Sequence, residues 1–319
     1  MRGISFAAIV LLTALMSGTS QAQSVHELLA QCADMSDPPR SVNACTVLIQ
    51  LTQSNVGYNK DKAGFFNNRG LAYEHEHRYD RAITDFDQSV QLDPNDAIAF
   101  FNRGIAYFAV HQSERAVQDY SEALKLKPDL YAVYNNRGAA YRRLGQYDHA
   151  NEDFAQAIRY YDQLLSREPT PDPALLTVVG DTYNNMGQYD RAIESLDKAI
   201  KMKPDYANAW NGRCLAHERL GQLQQALADC NEAIRLSRSG DFVMTTTLSV
   251  CGYIYLRMKN YDAAIADFDA TLKADPNSAA GSLYGRGLAE KAKGDIAGAN
   301  TDIAAAKSIT PNIADLVGM

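Results

Sequence analysis

From residue 63 onward, apolar positions recur at helical spacing in two short runs, pause, and begin again. In the first block the runs are Phe65 to Glu74 and Arg81 to Leu92, with Tyr79-Asp80 opening the second. Apolar residues three and four apart share one face of a helix, so each run predicts an amphipathic helix rather than a strand. An Asp at the head of the second run offsets the positive end of the helix dipole. Pro94 stops that helix, because proline disfavours helical geometry in the residue before it. Each block therefore predicts a pair of helices.

The block repeats. "NNRGLAY" at 67–73 returns as "FNRGIAY" from 101 and "NNRGAAY" from 135, each thirty-four residues after the last. A period in the thirties predicts an array of stacked helix pairs. Seven copies align in register, near 63–96, 97–130, 131–164, 173–206, 207–240, 245–278 and 280–313. The first carries Gly70, Tyr73, Ala82, Phe86, Ser89 and Pro94, and the second Gly104, Tyr107, Ala116, Tyr120, Ala123 and Pro128. Small residues at Gly70 and Ala82 let two helix backbones approach closely, and Phe86 and Tyr73 fill the space beside that contact. One pair cannot bury its own apolar face, so successive pairs stack.

This order of aromatic, Gly, Tyr, Ala, Phe, Ala and Pro at fixed offsets resembles the tetratricopeptide repeat family, over about four fifths of the chain. The resemblance implies an all-α, right-handed superhelical solenoid of antiparallel helix pairs, with about seven repeats behind an N-terminal hairpin. It also implies an inner face lined by the first helix of each repeat, at its second, fifth, sixth, ninth, twelfth and thirteenth residues. Carried over, those positions give a peptide-binding groove with Asn67, Asn68, Asn102, Asn135 and Asn136, joined by Phe101, Ile105 and Phe108 and by Arg142 and Arg143. Asn side chains both donate and accept, so a row of them suits the backbone of an extended peptide. The phenyl rings suit its side chains, and the arginine pair a carboxylate. The alternative is that these asparagines are simply solvated. Members that bind chaperone tails clamp a carboxylate with groove lysines, and the matching positions of the first three repeats hold none.

Arg precedes the glycine where the family usually has Leu, as Arg69, Arg103, Arg137, Arg213 and Arg286. Sixteen residues later in each stands an Asp: Asp85, Asp119, Asp153, Asp229 and Asp302. The fourth repeat has Val179 and Ser195 there, and the sixth keeps Asp267 but has Cys251 for Arg. Positions that travel together predict an Arg–Asp pair, either within a repeat or between neighbours. Arg suits it because its planar fork matches a carboxylate.

Two insertions interrupt the period: RYYDQLLSREPTPDP at 159–173, a prolonged helix then a stiff connector, and SRSGDFVM at 237–244. Before the array, residues 23–60 read as a degenerate helical hairpin with Cys32 and Cys45, and residues 314–319 as a C-terminal tail. The first residues carry Arg2, an apolar run from Phe6 to Met16, and Ser20-Gln21-Ala22, the pattern of an export signal cut after residue 22. Nothing later predicts a membrane span. Export into an oxidising compartment makes Cys32–Cys45 and Cys214–Cys230 candidate disulfides. Cys230–Cys251 competes with the second, and free buried thiols are the other alternative. Exported bacterial repeat proteins that begin with such a cysteine-bearing hairpin are similar.

A net charge of -7 without a basic run argues against nucleic acid. His75 and His77 in "EHEHR" are two apart, where helical metal pairs want three or four. No nucleophile motif or phosphate loop is present, so no catalytic residue, cofactor or metal is expected. The expected function is a periplasmic or envelope scaffold holding a protein or extended peptide, of unspecified oligomeric state. The alternatives are a structural component assembling through convex or end surfaces and, further off, capture of a small ligand or glycan.

Overall fold

The computed structural model describes residues 25–53, 56–167, 170–238, 242–274, 279–310 and 313–314. The expected export signal and all but the first residue of the expected tail lie outside the described residues. Sixteen α-helices, one 3-10 turn at Val56–Tyr58 and no strand occur among the described residues. The chain divides between Asp153 and Phe154 into two compact units.

The first unit opens with a hairpin, α1 (Val25–Ala33) and α2 (Pro38–Leu51). The pairs α3 (Asn59–His75) with α4 (Tyr79–Leu92) and α5 (Ala97–Ala109) with α6 (Ser113–Leu126) follow, then α7 (Tyr131–Arg143) and the start of α8 (Tyr147–Leu165). The second unit holds the rest of α8 and four pairs: α9 (Pro173–Asn185) with α10 (Tyr189–Met202), α11 (Ala207–Arg219) with α12 (Leu223–Leu236), α13 (Phe242–Arg257) with α14 (Tyr261–Ala274), and α15 (Ala279–Lys293) with α16 (Ile296–Ile309). Within each unit the two helices of a pair pack on one another, and successive first helices, such as α9, α11 and α13, also touch. The protein is all-α and built from successive antiparallel helix pairs.

The turn inside each pair has a middle residue in the left-handed region. Gly145, Gly187 and Gly221 supply it without strain, whereas His77, His111 and Lys259 are forced there with φ of 57°, 61° and 61°. "EHEHR" is therefore a helix end and its turn: His75 closes α3, and His77 Nδ1 lies 3.1 Å from the Tyr79 hydroxyl.

Recurrent glycines make room for a large side chain on the second helix. A Cβ at Gly70 would sit 2.6 Å from the Phe86 ring, and one at Gly104 2.6 Å from that of Tyr120. Gly180 faces Leu196 and Gly252 faces Phe268 in the same way. In the α11/α12 pair these two positions are Cys214 and Cys230, and they form a disulfide. A second disulfide, Cys32–Cys45, ties α1 to α2. Cys251 is free and buried in the same cluster as the Cys214–Cys230 bridge, which decides between the two competing pairings.

The expected arginine pair joins helices within a repeat and repeats to each other at once. Nε and Nη2 of Arg103 donate to both carboxylate oxygens of Asp119, each at 2.7 Å, while Nη1 reaches back 2.8 Å to Asp87 of the preceding pair. Arg69, Arg137, Arg213 and Arg286 fork on Asp85, Asp153, Asp229 and Asp302 in the same way. Their Nη1 atoms reach Thr46, Ser121, Asp197 and Asp269 respectively. Neighbours on the same helix flank the guanidinium: Phe66 and Tyr73 lie 5.4 and 6.0 Å from Arg69, and Trp210 4.7 Å from Arg213. This assigns the Tyr of "NNRGLAY" a second role, as a cation–π partner.

Where the arginine is missing, the carboxylate pays. Cys251 leaves Asp267 without it, and burial pushes the Asp267 carboxyl up to about 6.

Three outcomes follow from this packing. Arg103→Met will cost about 3 kcal/mol in urea denaturation, because it strands the buried Asp119 carboxylate, and adding Asp119→Leu will recover part of that loss. The folded chain holds the Asp267 proton more tightly than the unfolded chain does. The contribution of this group to stability is therefore greatest below pH about 4 and falls by about 2 kcal/mol as pH rises through 6, after allowance for solvent screening. Asp267→Asn will flatten that part of a melting-temperature profile. Thiol titration of the oxidised protein will find one reactive cysteine, Cys251, and only in denaturant. Reduction of either bridge will lower stability by ~3 kcal/mol.

Candidate functional site

The asparagines of the expected groove are not equivalent. Asn67 on α3 and Asn102 on α5 are both buried, and Asn102 Nδ2 donates to Asn67 Oδ1 at 2.9 Å. This bond ties the first helices of two successive pairs together and occupies groups expected to face a ligand. Asn68 is half-buried against the hairpin, its Nδ2 3.9 Å from Cys32 Sγ. Asn135 and Asn136 on α7 are half-buried, and Asn136 Nδ2 donates back to the Ala132 carbonyl at 3.2 Å. Its Oδ1 faces away from that bond.

The apolar members form one cluster. Phe101, Ile105 and Phe108 pack against the core that contains Tyr107, Tyr120 and Val133, and the Phe101 ring lies 6.0 Å from that of Tyr120. Arg143 covers this cluster. Its guanidinium stacks 3.9 Å from the Phe108 ring centre, and Nη1 donates to the Phe108 carbonyl at 2.8 Å. The same carbonyl, at the end of α5, also accepts from the His111 amide at 3.2 Å, so Arg143 adds a side-chain donor to the helix end. Burial, together with Arg142, holds the Arg143 guanidinium below its usual value, and burial likewise lowers His111 beside it. Arg142 is the exposed member of the pair.

The same first-helix wall carries an acid that the groove reading did not include. Glu74 occupies the twelfth position of its repeat, and its Oε2 is enclosed with no hydrogen-bond partner. Burial raises its carboxyl to about 7. The Tyr120 hydroxyl, also enclosed and unpartnered, lies in the field of both Glu74 and Arg143. In the second unit Asp181 on α9, the ninth residue of its repeat, reaches solvent, and the protein crowded around it raises its carboxyl. The signal for both was an acid at an inner-face position, which composition and the asparagine row obscured.

No group of three or more metal-ligating side chains occurs among the described residues, and no helix among them is long and apolar enough to cross a membrane.

Comparison with known families and structures agrees with this architecture. Models described as tetratricopeptide repeat match residues 63–96, 97–130, 131–164 and 252–312, and one described as TPR repeat matches 180–221. No curated protein matches the sequence. A tetratricopeptide repeat protein from Parabacteroides merdae is similar in structure, with a TM-score of 0.61, 17% identity, and coverage of 84% of this chain and 99% of that one. The Cut9-Hcn1 structure matches with a TM-score of 0.58 and 18% identity, covering 96% of this chain and 57% of that one. At such identities these likenesses speak for the fold alone. Family models spanning more than half the sequence, and helix pairs packed as the motif requires, make this chain a member of the tetratricopeptide repeat family.

Proposed function

We propose that the protein is a non-catalytic interaction scaffold that holds a partner protein, through an extended segment, on the first-helix face of α3, α5 and α7. The observation that carries the reading is the composition of that face. Exposed Arg142, half-buried Asn135 and Asn136, and the phenyl rings of Phe101 and Phe108 stand together on consecutive first helices. A peptide backbone needs amide partners, and its side chains need apolar contact and a counter-charge. This face offers all three.

The asparagine pair Asn67–Asn102 plays a supporting part in this reading, because its hydrogen bond sets the spacing of α3 and α5 rather than waiting for a ligand. Arg143 likewise fixes α7 to the end of α5. In this reading the groups that meet the partner are Asn135, Asn136, Arg142 and the half-buried phenyl rings of Phe101 and Phe108. Two disulfides favour work in an oxidising compartment, and with the export-like leader the reading places the protein in the periplasm or cell envelope.

The test is cross-linking of the exported protein in its own compartment beside an Asn136→Ala/Arg142→Ala variant with an unchanged melting temperature. A partner held by the wild type and reduced at least about tenfold in the variant is the expected result, since each lost charged hydrogen bond weakens binding on that order. Identical capture by both proteins would sink the reading.

A further inference from the structure

We propose that the three cysteines where α11, α12 and α13 meet form a movable bridge, in which Cys251 exchanges into the Cys214–Cys230 disulfide to give Cys230–Cys251 and a free Cys214. The exchange shifts a covalent brace from the inside of one helix pair to the boundary between two. It uses none of the residues of α3, α5 or α7 and does not depend on a partner held there.

The repeat register places Cys251 across Cys230 from Cys214. Cys214 and Cys230 hold the slots that Gly104 and Tyr120 fill in the second repeat, facing one another inside a pair. Cys251 holds the arginine slot. An arginine there touches the second helix of its own pair on one side and that of the preceding pair on the other, as Arg103 touches Asp119 and Asp87. Arg213 and Arg286 do the same. For Cys251 the neighbour in its own pair is Asp267, whose charge reaches the thiol. The preceding second helix is α12, where Asn231 stands in the slot of Asp87, next to Cys230. The contacts agree with the register. Cys230 Sγ lies 3.9 Å from the carbonyl of Thr247 on α13, one turn before Cys251. Helical side chains lean toward the preceding turn, which directs the Cys251 thiol back over Thr247 toward Cys230. All three cysteines are at most 1% exposed and belong to one buried cluster.

The boundary has a use for such a bridge. No arginine reaches back from α13 to α12, because Cys251 stands in its place, and the 237–244 insertion separates the two helices in sequence. A Cys230–Cys251 bond supplies covalently the link that the arginine supplies elsewhere. In the exchange Cys251 gives its proton to hydroxide, and the thiolate attacks Cys230 Sγ. The Cys251–Cys230 bond forms, the Cys230–Cys214 bond breaks, and the Cys214 sulfur leaves as a thiolate that takes a proton from water. Electrons balance within the three sulfurs, so no oxidant or reductant enters.

Burial, and after it the Asp267 carboxylate on α14, hold the Cys251 thiol above its usual range, so the resting bridge persists at neutral pH. Tyr255 on α13 shares this field. On α11 and α12, Asp229 is held by Arg213 and faces His217, and Glu218 holds Arg257. On α15, Arg286 is engaged by Asp269 and Asp302. Only the thiolate attacks a disulfide, so exchange is slow in the closed fold. It quickens when higher pH, or a brief opening of the α12/α13 contact, frees the thiolate.

The test follows the oxidised full-length wild type, folded and without reductant, at two pH values on the alkaline side of neutrality. Samples are quenched in acid, denatured and alkylated with N-ethylmaleimide, and the linked peptides are mapped by mass spectrometry. Alkylated Cys214 and a Cys230–Cys251 peptide should accumulate together, about tenfold faster per pH unit, because the rate follows the thiolate fraction. The Cys32–Cys45 bridge should stay intact. Cys251→Ala should yield no alkylated Cys214, and Cys214→Ala, oxidised with glutathione while folded, should form Cys230–Cys251. Cys214 that is never alkylated in the wild type would overturn the proposal. So would Cys214–Cys251 peptides arising as fast as Cys230–Cys251 ones, or Cys32 and Cys45 joining the exchange, since either marks scrambling in unfolded chains.

Discussion

In five of the repeats, the register of neighbouring helices hangs on a single guanidinium. Two of its nitrogens grip both oxygens of an Asp on the second helix, and the third reaches the helix pair before it. Rings three residues before and four after cover its faces. A lysine has neither the planar fork nor the third direction of donation. The pair is largely buried, with Arg103 17% and Asp119 8% exposed at the side chain, so its benefit lies less in net stability than in the cost of every arrangement that would separate the two charges. Hydrophobic burial compacts the array, and the arginines decide how one pair sits on the next.

The exceptions show what else can hold a pair together. The α9/α10 pair has Val179 and Ser195 in place of the two charged groups, and it relies on the close contact of Gly180 with Leu196. The α11/α12 pair keeps its arginine but replaces the glycine–aromatic contact by a disulfide. The α13/α14 pair keeps its glycine and Phe268 but has lost the arginine, and Asp267 bears the consequence as a carboxyl that burial pushes toward neutrality. Packing contact, ion pair and covalent bond are therefore partly interchangeable at one place in the fold, since all three fix the separation of the same two helices.

Several polar groups of the first helices are committed to the fold itself. A hydrogen bond joins the amides of Asn67 and Asn102, and Arg143 binds the end of α5, so these side chains are in part committed to holding first helices together. Glu74 Oε2 and Asn184 Oδ1 are enclosed without a partner. Both lie on first helices, at the twelfth position of their repeats.

The sequence alone determined the helix pairs, their period, the family and the coupling of each Arg to the Asp sixteen residues on, because these rest on spacing along a single chain and recur often enough to be compared within it. The cysteine partners were half legible: Cys214 and Cys230 stood in facing slots, but Cys251 competed until the packing placed it in the same cluster as the finished bridge. The groove was legible as a set of positions and illegible as a set of free groups. Whether Asn102 meets a ligand or Asn67 depends on the approach of α3 to α5, and whether Arg143 reaches solvent or the Phe108 carbonyl depends on where α5 ends. Those are distances between residues thirty-five apart in sequence, and only the tertiary structure sets them. The same holds for Glu74. An acid in a sequence is only a charge, and its protonation and want of a partner are decided by how much protein closes around it.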